Sequence, residues 1–202
     1  NSAEIIKPFV IGDNIRKYHY RNTEKFVLFI PWHFPLHNDT TIQGASKEAE
    51  KAFQQQYPAV YSHLSAFKEN LASRNKAETG IRYEWYALQR FASSYFNVFE
   101  KPKILYPVIA KESRFAFDMD GFFSNDKTFV IPIDDKYLLG TLNSKLIWLF
   151  LKRTCSVLGD PDKGGRLELR DIHVKTNPIR TIDFTNKEDV ARHDKMVKLV
   201  ER

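Results

Sequence analysis

Asp160, Asp162 and Gly165 fall at the first, third and sixth positions of a loop, with Asp171 at the twelfth. That spacing brushes against a calcium-binding loop. However, the fifth position is Gly164 and no glutamate closes the loop to supply two oxygens, so the donor set for a hard cation is incomplete. The same stretch pairs Pro161-Asp162 with Glu168, a faint nuclease pattern. The acids are too close in sequence to lie on adjacent strands, and the lysine that such chemistry needs is missing. His33 and His37 are four residues apart, but Pro35 between them rules out the helix that would put both rings on one face. Cys155 follows Lys152 and Arg153, which would favour a thiolate. Beside so apolar a segment it reads as a small buried hydrophobe. Neither GxGxxG nor GxxxxGK[ST] occurs. Gly159, Gly164 and Gly165 follow a helical segment rather than lead one, the wrong polarity for a phosphate at a helix N-terminus. No arrangement of nucleophile, base and acid emerges, so catalytic chemistry within this chain is not expected.

What remains is charge. The 202 residues carry 31 Lys and Arg against 25 Asp and Glu, a net +6. The excess is spread along the chain rather than gathered in a tail, so a basic surface must be assembled by folding. The candidates are arginines, whose fork matches guanine, and lysines, which meet phosphates as point charges. Arg16, Lys17, Arg74, Lys76, Arg82 and Arg90 are predicted to form part of a cleft. Lys103, Lys111 and Arg114 flank the central strands, and Lys163 and Arg166 sit on the glycine loop. Trp85 and Tyr86 are expected in the core rather than against bases.

The elements that must hold these residues are legible in outline. Pro8 argues against a helix at the start, and Gly12-Asp13 marks a turn. KFVLFIPW reads as a buried strand stopped by Pro31. Ser46 opens a polar helix, and Pro58 opens another in which Val60, Leu64, Phe67 and Leu71 share a face. The aromatic stretch from Gly80 to Glu100 has no clear period. KPKILYPVIA reads as a strand, and residues 114–133 as a hairpin with Phe115 and Phe117 opposite Phe129, Ile131 and Ile133. Leu138 to Arg153 reads as one deeply buried helix, a rigid post for the loop behind it. Residues 167–184 look extended. Thr185 and Glu188 form a capping box ahead of a final helix striped by Val190, Met196, Val197, Leu199 and Val200. The stripe still runs at Arg202, so the chain is expected to be an excerpt.

Several of these stretches, in this order, resemble a known family: Ile6 to Tyr18, Tyr57 to Arg74 followed by WYAL, Phe99 to Ala110, Gly121 to Pro132, Tyr137 to Arg153, and His193 to Arg202. The family is the TaqI-like specificity domain, the target-recognition module C-terminal to the methyltransferase domain in type IIG restriction-modification enzymes. It is related to the recognition domains of type I specificity subunits. The resemblance implies an α+β fold: a mixed β-sheet target-recognition domain with packed helices over residues 1–184, and the start of a C-terminal spacer helix over 185–202. It implies double-stranded DNA as partner, together with an upstream methyltransferase domain of the same parent, and no membrane. No cofactor is expected in this domain. S-adenosylmethionine, with magnesium left open, belongs to the parent, expected to be an adenine-N6 methyltransferase with or without endonuclease activity. Asn177-Pro178-Ile179 lacks the second proline and the aromatic residue of that enzyme's catalytic motif. The single cysteine and the lack of a basic-then-apolar leader predict a cytoplasmic protein. The competing expectation is an assembly module that uses the striped final helix to hold a protein partner.

Overall fold

The computed structural model describes residues 2–21, 23–91, 93–160 and 164–202. The chain packs as two units, one made of Asn1–Lys7 and Phe26–Phe96, the other of Pro8–Lys25 and Asn97–Arg202. Its elements are α+β: strands β1 (Ile6–Val10) and β2 (Phe26–Leu28), helices α1 (Lys47–Gln56), α2 (Pro58–Ser65) and α3 (Lys68–Ser73), strands β3 (Lys103–Pro107), β4 (Ile109–Ala110), β5 (Ala116–Asp118), β6 (Phe123–Ser124) and β7 (Thr128–Ile131), helices α4 (Lys136–Leu142) and α5 (Lys145–Thr154), strands β8 (Ser156–Leu158) and β9 (Arg166–Glu168), and helices α6 (Asp171–Val174) and α7 (Lys187–Val200).

The first unit is held by aromatic packing. Ser46 caps α1 by accepting from Ala49 N at 3.1 Å, and Pro58 begins α2, both as the sequence indicates. Phe53 packs with Phe34, Tyr57, Tyr61 and Tyr86 at ring-centroid distances of 4.4–5.9 Å. Tyr83, Trp85 and Tyr86 are buried, so the aperiodic stretch after Gly80 is core-forming loop. The helix expected through Phe67 is instead two. It breaks at Ala66, and Phe67 becomes the N-cap of α3, 49% exposed and off the apolar face. A buried carboxylate organises the unit. Glu84 accepts from the backbone N–H groups of His33 and Ser46, both at 2.8 Å, so its charge is met by donors rather than left bare.

The second unit is built on β3, every residue of which is buried. β3 pairs antiparallel with β5 on one side and β7 on the other. The two arms expected to form a hairpin are thus separated by a third strand, because the apolar KILYP run covers both of them more completely than they could cover each other. A second antiparallel sheet has the order β4-β9-β8, and β1 pairs in parallel with β6 at Phe9–Phe123 and Val10–Ser124. The expected single helix from Leu138 to Arg153 is also two. Asn143 ends α4 and Ser144 caps α5, accepting from Ile147 N at 3.2 Å. Asn143 is buried because its side-chain amide both donates to Phe115 O at 2.7 Å and accepts from Phe115 N at 3.2 Å, replacing the partners that an edge strand would have supplied. Nor is α5 buried all round. Ile147 and Leu151 face the core, while Leu146 is 71% and Leu149 49% exposed. The capping box at Thr185 shifts by one residue. Asn186 caps α7, accepting from Glu188 N at 2.9 Å, and Thr185 bonds Asp183 instead. α7 lies on α4 at Gly140, where an added Cβ would come within 2.8 Å of Met196 Sδ and 2.9 Å of Val200. Among the described residues no helix is long and apolar enough to cross a membrane.

Candidate nucleic-acid interface

In the second unit the turn at Gly12, the end of β3, β4, the segment after it, the β6–β7 turn and the start of β9 enclose a cleft of about 410 Å³. Among the described residues its charged lining is Lys111, Arg114, Lys127 and Arg166 against the acid Asp13, with Asn125 beside them. Gly12 is needed to close it: a Cβ there would meet Lys127 O at 2.8 Å. The backbone therefore approaches where a side chain would have filled the space.

Two of the cations are lightly held. Arg114 Nε donates to Glu112 at 3.1 Å, and Lys127 Nζ pairs with Asp126 at 3.0 Å. Such solvent-facing pairs contribute about 0–1 kcal/mol, so an incoming phosphate can replace either acid at little cost. Lys111 and Arg166 are exposed and have no side-chain partner among the described residues. Arg16 borders this group. It donates to Asp13 O at 2.7 Å and Ile15 O at 2.8 Å. Its guanidinium is pushed below the usual arginine range first by burial, then by the positive charges of Arg21 and Arg114, against which Asp13 and Glu112 act only in part. The repulsion from Arg21 and Arg114, the lesser cause after burial, is what an anion placed here would relieve. Lys17 is exposed, and its ammonium lies 5.4 Å from the centre of the Tyr18 ring. Tyr18 itself is exposed with φ of 72°, an uncommon backbone for a bulky residue, held by its N–H bonding Phe115 O at 2.9 Å.

A second cavity, of about 460 Å³, shares Lys111 and is otherwise lined by Trp148, Lys152, Val157, Gly164, Gly165 and Leu167. The two cavities draw on successive residues of β9, Arg166 for the first and Leu167 for the second, which a pleated strand points to opposite faces.

The remaining candidates fare differently. The sequence puts Lys103 on the flank of the central strands, but its side chain is 0% exposed. The β3–β5 register sets it opposite Asp118, with which it forms a buried ion pair, and it also donates to Phe99 O. Burial excludes it from contact with DNA. Lys163 lies outside the described residues. Arg74, Lys76, Arg82 and Arg90 belong to the first unit, whereas Arg16 and Lys17 belong to the second. Arg74 is committed to carbonyls, bonding Leu71 O at 2.9 Å, Trp85 O at 2.9 Å and Ala87 O at 2.8 Å. Arg82 pairs with Glu78 at 3.0 Å and lies over the Trp32 ring at 5.7 Å. Lys76 and Arg90 are exposed without a partner among the described residues. Sequence reasoning passed over Lys127, Asn125 and Tyr18. Asn125 and Lys127 stand on the β6–β7 turn, and the Asn-Asp-Lys run that marks a turn was the available signal.

No curated protein matches the chain. A family model, the TaqI-like C-terminal specificity domain, matches residues 7–172, most of the chain, including the cleft, the sheets around it and residues 26–96 of the aromatic first unit. The chain belongs to the TaqI-like C-terminal specificity domain family.

Proposed function

We propose that this chain is the sequence-specific DNA-recognition domain of a type IIG-like restriction-modification enzyme, reading a target duplex and presenting it to an adenine-specific methyltransferase domain outside this chain. The observation that carries the reading is the cleft in which Lys111, Arg114, Lys127 and Arg166 converge within the family-matched region. A cleft of this size admits a phosphate and its sugar rather than a duplex, so the DNA lies across its mouth. Lysines there fix register on the backbone, and Arg166 is left to reach a base edge. Arg16 and Lys17 extend the basic surface beside it. Lys76 and Arg90 of the first unit are further contacts in this reading. Residues 1–184 then form the recognition domain, and the helix that begins after residue 185 is its spacer.

The assembly reading loses ground to one observation. Met196 and Val200, part of the apolar stripe it relies on, are spent against Gly140 of α4.

The test is methylation mapping. The full gene is expressed in a host lacking DNA methylation, and the genome is sequenced for modified adenines. One consistently modified motif is expected. Folded, expressed protein that leaves no motif would overturn the proposal.

A further inference from the structure

The three-stranded sheet β4-β9-β8 presents two unlike faces. β9 is its middle strand: Glu168 stands opposite Ile109 on one side and Ser156 on the other, and Arg166 opposite Leu158. Leu167 and Leu169 point inward, 4% and 0% exposed. Arg166 and Glu168 therefore share the opposite face, about 7 Å apart along the strand. Long side chains at that spacing are within reach of each other, yet no ion pair joins them and neither side chain has a hydrogen-bond partner among the described residues. Arg166 lines the basic cleft, and so does Ile109, the neighbour of Glu168. A carboxylate beside a phosphate-attracting surface is repelled by the backbone. It gains only if it meets a donor, and in the major groove cytosine N4 is the donor suited to a carboxylate. A two-stranded β-ribbon enters that groove, and β-sheet readers present strand residues to the bases there.

We infer that the outward face of β9 is a base-reading surface, in which Arg166 selects a guanine and Glu168 selects a cytosine a short step away, so that the target contains G·C pairs at both positions. The inference rests on the recognition reading above. Arg166 and Glu168 are specificity determinants here, and Lys111, Arg114 and Lys127 supply affinity without preference.

The test is selection from a randomised duplex library with the full gene product, comparing wild type with Glu168→Gln and Arg166→Ala. Glutamine presents one donor and one acceptor, the pattern complementary to adenine. At one position of the motif, Glu168→Gln is expected to lower the preference for cytosine about ten-fold and raise that for adenine. Arg166→Ala is expected to relax a guanine position by a similar factor. Glu168→Asp, with its charge kept, retains the cytosine preference at weaker affinity, which separates lost reading from lost folding; thermal melts of all three report the latter. A motif unchanged in both Glu168→Gln and Arg166→Ala, or affinity lowered equally for all sequences, overturns the inference and leaves DNA recognition standing. A wild-type protein that enriches no sequence removes the recognition reading itself.

Discussion

Arg74 in the first unit and Arg166 in the second are both exposed arginines that a sequence marks as readers of nucleic acid. They have opposite fates. Arg74 donates three hydrogen bonds to main-chain carbonyls of its own unit, and burial of its head pushes its pKa down. Arg166 donates none to any described residue and opens on a cleft with three other cations. In the first case a loop rich in aromatics has carbonyls to satisfy, since Trp85 and Ala87 lie in irregular backbone that makes no sheet. In the second, sheet pairing already satisfies the main chain, so the side chain is free for an external anion. An arginine is available for function when the backbone around it has no further need of a donor.

The largest effect that bears on this contrast concerns Lys103, a cation wholly consumed by the fold. Lys103→Met leaves Asp118 buried without its counter-charge and is expected to cost about 3–5 kcal/mol in urea unfolding. The double variant Lys103→Met/Asp118→Leu should recover part of that loss. It cannot recover all, because Asp118 also accepts from Asp120 N and Phe122 N. Next comes Arg74→Ala, expected to lose about 1–3 kcal/mol of stability while leaving the salt dependence of DNA binding unchanged. Lys111→Ala should do the reverse. Its melting temperature stays within error, and the slope of log affinity against log salt falls by about one in magnitude. If Arg74→Ala lowered that slope and Lys111→Ala did not, the distinction between consumed and available cations would be wrong.

The smallest effect is acid sensitivity of the first unit. Burial raises the pKa of Glu50, but bonds from Trp85 Nε1 at 2.6 Å and Tyr61 at 2.9 Å, with Lys68 at 3.4 Å, outweigh it and hold the carboxyl below its ordinary 4.5. A carboxyl depressed in the folded state stabilises it fully above the unfolded value and loses that contribution as pH falls through the folded value. Melts of Glu50→Gln should therefore match wild type more closely at low pH than at neutral pH, where wild type holds the advantage.

Local features were legible wherever one short stretch decided the outcome. Ser46 and Pro58 mark helix starts by their own chemistry, and KILYP is apolar enough to be a central strand in any context. The sequence misled wherever a distant partner decided. Residues 114–133 alternate like a hairpin, and only the insertion of β3 shows otherwise. Asn143 looks like an interruption within an apolar helix, and its reason is Phe115, 28 residues earlier. Lys103 carries nothing in its neighbourhood to reveal that Asp118 will stand across from it. The cleft had the same obstacle. Three of its four cations were foreseen individually, but their meeting depends on two sheets and a turn at Gly12.

The alternation along β9 has a consequence for how such a domain can change over generations. Leu167 and Leu169 bind the strand to its core, and Arg166 and Glu168 do not. A substitution at an even-numbered position alters what the surface offers to the outside while the inward residues keep the strand where it was. Inherited variation at these sites is therefore cheap in stability, and a lineage can exchange one outward side chain for another by single steps, each passing through a protein that still folds.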